Sequence, residues 1–346
     1  MIKQFGGKLT KTLKERYAKS PHWRKGKFRN LEKTFMNIDV RHYPSLFRKQ
    51  FIDRKGRVPK VKLPILPFNK NAFLEPSETA KFVWFGHSAV LIRLNGKTLF
   101  IDPMLGPTTT PFLPFGGNRF SENTLSIIDA LPPIDVVLLS HDHYDHLDYD
   151  SIKKLLPKTG QFFVSLGTGR HLESWGIPET KIKEFDWWNN FEYEDISITF
   201  TPSRHFAGRG LTNRNKSLWG GWVFQTETEN IYFSGDGGYG KHFKEIGKKF
   251  GPFDVGFMEC GQYNKHWHLI HMYPEESIKA AIDAGVKIAV PVHWGAFELS
   301  LHTWKEPAEH FTKEADKAGL AFCTPNVGKL VPFGAFQSTK WWDSYS

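Results

Sequence analysis

The chain of 346 residues, 40% hydrophobic and 24% charged, has an ordinary globular composition, and without a run of about 18 apolar residues it has no helix expected to span a bilayer. Its formal charge of +10 is uneven: residues 1–63 hold 19 Lys or Arg against 4 Asp or Glu, while the rest holds 27 against 32, so the basic character belongs to the N-terminal segment, where nucleic-acid binding is a further reading with no recognised motif beside it, and the acidic remainder argues against a nuclease. Cys260 and Cys323 are too few for a disulfide framework or a thiolate metal site, and buried thiols are expected.

Met1 to Gly7 lacks the apolar core of an export signal, which favours a cytoplasmic location. Ile2, Phe5, Leu9, Leu13 and Tyr17 recur at helical spacing among Lys3, Lys8, Lys11, Lys14, Arg16 and Lys19. The spacing predicts a basic amphipathic helix lying on an anionic membrane surface. Gly6 and Gly7 work against that helix, and the alternative is a segment packed on the protein's own body or a mobile tail. Residues 1–75 are expected to form a basic extension, packed on or tethered to a folded body of residues 76–346.

Regular β-patterning begins at residues 81–85 and continues through 89–94 and 98–102, with Asn95-Gly96 as a hairpin turn. Residues 106–120 form a long loop rich in Pro, Gly, Thr and Phe, of the kind that closes over a site. Residues 134–139 read as a buried strand, 151–156 as a short helix, 161–166 and 196–200 as strands. A second hairpin is expected over 219–226 and 230–234, and a further strand over 254–258. Pro274 opens a helix with Glu275 and Glu276 at its positive end, and Gly285 ends it. A strand over 287–292 and a helix over 306–318, closed by Gly319, complete the pattern.

The densest chemistry follows the strand 134–139. His141, His143 and His146, with Asp142 and Asp145, fall within six residues at a strand's end, which is how folds present metal ligands. His205 follows the strand 196–200, Asp236 follows 230–234 among glycines, and His293 follows 287–292. Four strands that each deliver His or Asp to a turn are hard to explain structurally.

The set His141-x-His143-x-Asp145-His146, His205, Asp236 and His293 resembles the metallo-β-lactamase-fold hydrolases. Longer stretches resemble the N-acyl-phosphatidylethanolamine-hydrolysing phospholipase D family: residues 140–149, Phe185-Asp186-Trp187-Trp188, residues 201–205, residues 247–254, Pro274-Glu275-Glu276 and His293-Trp294-Gly295. The likeness covers roughly residues 80–310. Two positions depart from it, both at non-ligand residues: Gly237 stands where Thr often follows the Asp, and Asp142 where Asn is common. The resemblance implies an α+β, four-layer αββα sandwich, with two mixed β-sheets flanked by helices and residues 76–346 as the catalytic domain. It implies that His141, His143 and His205 bind one metal, that Asp145, His146 and His293 bind the other, and that Asp236 bridges them. Imidazole and carboxylate donors suit two Zn²⁺, with Fe or Mn as alternatives.

The expected activity is a phospholipase D-type phosphodiesterase, cutting N-acyl-phosphatidylethanolamine to N-acylethanolamine and phosphatidate with a metal-bridged hydroxide as nucleophile. Asp145 would orient that nucleophile. His271 matches a site-lining histidine of the family and is expected to contact the phosphoryl group or protonate the leaving group, a capping role being the alternative. Tyr144 and Tyr149 are candidates for substrate contact. His87 reads as a structural neighbour, and His266 and His268 as surface residues near the pocket. The alternative function is a lactonase or small-phosphoester hydrolase with a soluble substrate on the same binuclear site. Expected partners are a phospholipid or small phosphodiester, a peripheral membrane surface through the basic N-terminus, and no nucleic acid. A homodimer is compatible with the sequence and not required by it.

Overall fold

In the strand Val90–Leu94, Val90, Ile92 and Leu94 face one hydrophobic core and Leu91 faces a second. Neighbouring strands alternate in register: Phe82 and Trp84 join the first core, Val83 and Phe85 the second, and Val136 and Leu138 separate from Val137 and Leu139 in the same way. A period-two pattern with both faces apolar requires cover on both sides of the sheet. The computed structural model, which describes residues 3–111, 117–210 and 212–345, supplies it: two seven-stranded sheets pack face to face with helices outside both.

The first sheet runs Leu330–Pro332, Lys81–Trp84, Val90–Leu94, Lys97–Ile101, Ile134–Leu139, Thr159–Ser165 and Ile182–Phe185 in spatial order. The second runs Ala321–Phe322, Val286–Val292, Phe253–Glu259, Asn230–Phe233, Gly220–Gln225, Ile196–Pro202 and Asn190–Tyr193. Both mix hairpins with parallel crossovers, as expected of the αββα sandwich. Lys81–Trp84, Lys97–Ile101 and Ile134–Leu139 share one direction in the first sheet, and Ile196–Pro202, Asn230–Phe233, Phe253–Glu259 and Val286–Val292 share one in the second. Their C-terminal ends come together where His87 bridges to Trp294.

The Asn95-Gly96 turn has both φ angles positive, 43° and 70°, as its hairpin requires. Gly285 and Gly319 end their helices in the left-handed region, at φ 77° and 67°. Helices at Tyr43–Phe51, Lys70–Leu74, Gly169–Ser174 and His242–Phe250 add to those expected. The strand Leu330–Pro332 returns late in the chain to pair with Lys81–Trp84, a contact between residues some 250 apart that local pattern does not reveal. Of the long loop over 106–120, residues 112–116 lie outside the described residues. Cys260 and Cys323 are buried free thiols. No helix among the described residues is long and apolar enough to cross a membrane.

The N-terminal amphipathic helix is corrected. A 3₁₀ turn, Lys3–Phe5, stops at Gly6, where φ is 72° and a Cβ would strike the His171 ring, and the helix proper spans only Lys11–Tyr17. Its apolar residues turn inward: Tyr17 is fully buried, and Leu9 and Leu13 pack against the first core. Polar contacts fasten the segment as well. Gly7 N–H donates to His171 Nδ1 (3.1 Å), Trp175 Nε1–H to the Lys3 carbonyl (2.8 Å), and the Arg209 guanidinium to the Gln4 carbonyl (2.7 and 2.9 Å), while Arg16 pairs with Glu184. The apolar stripe therefore belongs to the protein's own interior. Tyr17→Ala is expected to cost about 3 kcal/mol of stability, as removal of a buried aromatic does, whereas Lys11→Ala on the exposed side should stay within about 0.5 kcal/mol. Denaturant midpoints check both, and an unmoved midpoint for the tyrosine variant would mean that the segment is not docked.

Candidate metal centre

Each candidate ligand sits just beyond a strand whose C-terminal end reaches the shared edge. His141 follows Ile134–Leu139, His205 follows Ile196–Pro202, Asp236 follows Asn230–Phe233, and His293 follows Val286–Val292 directly. Gly235, at φ 62°, makes the turn into Asp236, and a Cβ there would collide with the Gly220 carbonyl, so the backbone approach demands glycine.

The structure brings all seven residues together as two groups sharing Asp236. In one, His143 Nδ1 lies 2.9 Å from His141 Nε2 and 3.2 Å from His205 Nε2. In the other, Asp145 Oδ2 lies 3.6 Å from His146 Nε2 and 3.4 Å from His293 Nε2. Asp236 Oδ2 stands 3.0 Å from His146, 2.9 Å from His293, and 4.0 Å from both His141 and His205. The ring orientations are set from behind. His141 Nδ1–H donates to Ser140 Oγ (2.9 Å), which donates to Asp102, and His205 Nδ1–H donates to the Ile270 carbonyl (2.8 Å). His146 Nδ1 meets Asp102 at 2.7 Å.

These donors fit a pair of divalent cations. With Nδ1 of His141 and of His205 spent as outward donors, their Nε2 lone pairs both point inward at the His143 Nδ1. Asp236 Oδ1 is buried with no hydrogen-bond partner, an expensive state for a carboxylate unless a cation meets it. Burial first, then neighbouring imidazoles, holds His141 and His205 well below the usual imidazole range, and burial holds His143 down to about 4. They are neutral ligands at neutral pH. For His146 burial works downward too, but Asp236, Asp145 and Asp102 outweigh it and push the ring up to about 10, and His293 is raised by the same opposition of burial and carboxylates. Asp145 and Asp236 are held ionised because the imidazoles around them overcome the cost of burial.

Two site residues escape a reading based on the four ligand strands, and a third, His87, stands beside Asp145 as the structural neighbour expected of it. Asp102 directly follows Lys97–Ile101 and obeys the same strand-end rule, so it was open to detection. Glu259 closes the strand Phe253–Glu259 and is fully buried; an acid at the end of an apolar parallel strand was the available signal. His87, fully buried at φ 55°, places Nε2 2.9 Å from Asp145 Oδ2, and burial first holds it down to about 3. Glu259 Oε1 meets His271 Nδ1 at 2.8 Å, and its Oε2 accepts from the Met272 amide at 3.0 Å. The His271 ring lies 4.9 Å from that of His205 and stacks on His293 at 5.1 Å, so it borders both groups.

The other candidates are placed elsewhere. Tyr144 donates to the Arg209 carbonyl (2.6 Å) beneath that residue's guanidinium, and Tyr149 packs edge-on against Trp175 at 5.2 Å in the second core. These contacts tie both rings to their neighbours in and beside the ligand loop. His266 Nδ1 meets the Asn37 carbonyl, and His268 lies 3.9 Å from Glu276. Asp142 accepts from Ser217 Oγ (2.6 Å) and the Gly208 amide (2.7 Å) and meets His171 at 3.2 Å, so it ties the loop to its neighbours.

A cavity of about 220 Å³ opens beside His205. The extension forms one wall, with Lys27, Arg29, Phe35 and Met36, and Phe206 and Ile270 form the other. The Arg214 guanidinium lies 3.9 Å over the Phe206 ring. Asn30 of the extension grips the ligand's backbone, donating to the His205 carbonyl (2.7 Å) and accepting from its amide (3.2 Å).

Metal analysis should find about two divalent ions per chain, and Asp236→Ala should lose both. A content near zero that added metal does not raise would overturn the assignment. Because carboxylates raise His146 to about 10 and raise His293 as well, cations entering the site compete with protons. Loading should release protons, measured as the dependence of calorimetric heat on buffer ionisation enthalpy, and affinity should fall as pH falls.

A Beta-lactamase superfamily domain model matches residues 97–294. An uncharacterised Mycobacterium tuberculosis protein is 36% identical over 328 residues, which are 93% of this chain and 87% of that protein. The Caenorhabditis elegans protein named N-acyl-phosphatidylethanolamine-hydrolyzing phospholipase D 1 is 30% identical over 272 residues, 73% of this chain and 76% of its own length. Among solved structures, the metallo hydrolase Igni18 from Ignicoccus hospitalis superposes with a TM-score of 0.54 at 20% identity, over 74% of this chain and 98% of that one. The chain thus belongs to the β-lactamase superfamily of metal-dependent hydrolases, within the family that includes the N-acyl-phosphatidylethanolamine-hydrolysing phospholipases D.

Proposed function

We propose that the protein is a phosphodiesterase of phospholipase D type that hydrolyses N-acyl-phosphatidylethanolamine to N-acylethanolamine and phosphatidate. The observation that carries this reading is His271, which borders both ligand groups with its Nδ1 held by the buried Glu259. A buried acid that fixes one ring nitrogen leaves Nε2 to serve a substrate. The mouth beside His205 supports the same class, because it joins the cations Lys27, Arg29 and Arg214 to the apolar Phe35, Met36 and Ile270, the two halves of an amphiphilic phosphoester. The relatives named for this activity agree with it.

His141, His143 and His205 would hold one cation, Asp145, His146 and His293 the other, with Asp236 between them, and zinc suits this donor set. When bound, such cations supply charge neutralisation for phosphoryl oxygens and make water acidic enough to react near neutral pH. The chain's own residues do the positioning. Asp145, held by His87, accepts a hydrogen bond from the attacking water. Water's oxygen bonds to phosphorus as the bond from phosphorus to the ethanolamide oxygen breaks. His271 gives the Nε2 proton to that leaving oxygen, and the proton lost by water restores it.

Incubation with N-acyl-phosphatidylethanolamine in mixed micelles should release N-acylethanolamine and phosphatidate. Turnover of lactones or small soluble phosphoesters with no action on the lipid would overturn the reading in favour of the alternative. His271→Ala should lower kcat by roughly 10²- to 10⁴-fold, the range of general-acid removal, while the metal content is unchanged. A variant at full rate would exclude the proton-donor role.

A further inference from the structure

Ten large apolar side chains between Leu31 and Leu66 stand in solvent, from Met36 at 38% exposed to Val40 at 71%; elsewhere among the described residues Ile282 alone compares. The helix Tyr43–Phe51 within this stretch buries none of its described side chains, yet Tyr43 and Phe47 are 58% and 63% exposed. A nine-residue helix gains little stability in water by itself and ordinarily depends on a covered apolar face. Its ends are nonetheless fixed to the body. The Asn37 amide donates to the His266 carbonyl, the His42 and His266 rings lie 4.3 Å apart, and Arg54 and Arg57 pair with Glu298. The exposed face is held in place beside the loop that leads to His271.

We propose that residues 31–66 form a bilayer-docking face that seats the mouth of the metal centre on an anionic lipid surface. Charge selects this occupant. The stretch carries nine Lys or Arg against three Asp or Glu, and Lys33, Lys49, Lys55 and Lys60 have no carboxylate partner among the described residues. Cations interleaved with exposed apolar side chains match the phosphates and acyl boundary of a bilayer; a protein interface instead gathers its apolar residues into a core and leaves charge at the rim. Continuity with the site points the same way, since Phe35 and Met36 belong both to the exposed set and to the cavity beside His205. A lipid could pass from the bilayer to the ligands without crossing water. The inference rests on the lipid-phosphodiesterase reading only for its purpose, and it moves the membrane contact from residues 1–20, whose apolar face is spent on the core, to residues 31–66.

Co-sedimentation of the full-length, metal-loaded protein with vesicles tests it. Phosphatidylcholine vesicles containing phosphatidylserine should bind about tenfold more tightly than phosphatidylcholine alone, and salt should weaken the binding. The double variant Val40→Asp, Ile52→Asp, at exposed positions outside the site, should lose about tenfold in anionic-vesicle affinity with an unchanged melting temperature. Equal binding by variant and parent, or no preference for anionic vesicles, overturns the proposal. So does a parent protein that is dimeric without lipid and becomes monomeric in the variant, because the occupant is then a second copy. Turnover in mixed micelles separates the two readings: activity without vesicle docking sinks the docking face alone, and docking without lipid turnover sinks the phosphodiesterase alone.

Discussion

Five imidazoles and two carboxylates share one buried volume, and the rest of the protein is arranged around keeping them there. The inward nitrogens of His141 and His205 converge within 3.2 Å of the His143 Nδ1, and Asp236 leaves an oxygen unpaired in the interior. Such an arrangement raises the energy of the metal-free chain and is relieved by divalent charge. The sandwich makes it tolerable. Seven strand ends from two sheets meet at one edge, and the backbone ladders on both sides hold each ligand against the repulsion of its neighbours.

Behind the ligands lies a second tier that sets their chemistry. Asp102 serves His146 directly and His141 through Ser140, and Glu259 orders His271 and approaches His293 at 3.6 Å. The opposed pKa values follow from whether burial or carboxylates win: at His146 three acids outweigh burial, at His143 burial outweighs the acids nearby, and at His141 burial and neighbouring imidazoles act together. The two halves of the centre are thus tuned in opposite directions, His141, His143 and His205 downward and His146 and His293 upward.

The N-terminal segment is part of this machinery more than an appendage to it. Gly7 bonds to His171, His171 meets Asp142, and Asp142 lies inside the ligand loop. Asn30 clamps His205 from the other side. The net −5 of residues 64–346 and the +15 of the extension are therefore not two separate electrostatic objects. Lys27 and Arg29 put part of that positive charge in the cavity beside His205.

The ligand set was legible because metal chemistry restricts residue types and strands deliver them at predictable positions, so His141, His143, Asp145, His146, His205, Asp236 and His293 could be named from local pattern and resemblance. The hairpin at Asn95-Gly96 and the helix stops at Gly285 and Gly319 were equally local, each a matter of backbone conformations that glycine and asparagine accept. The hydrogen bond from Tyr144 to the Arg209 carbonyl and the packing of Tyr149 on Trp175 were not, since a ring next to a ligand in sequence can face either side of its loop. The supporting pairs, Glu259 with His271, Asn30 with His205 and Gly7 with His171, join residues 12 to 175 apart, and nothing in their local sequence names the partner. Nor does an amphipathic stripe say which apolar medium it meets. Leu9, Leu13 and Tyr17 share the spacing of a membrane-binding helix, yet Tyr17 is buried in the protein's own core and Leu9 and Leu13 pack against it, while the weaker pattern of residues 31–66 is left in solvent. The sequence determined the candidate ligands and the local turns because their physics is short-ranged. Which faces are covered, and by what, only the tertiary structure decided, because burial is a property of the packed whole.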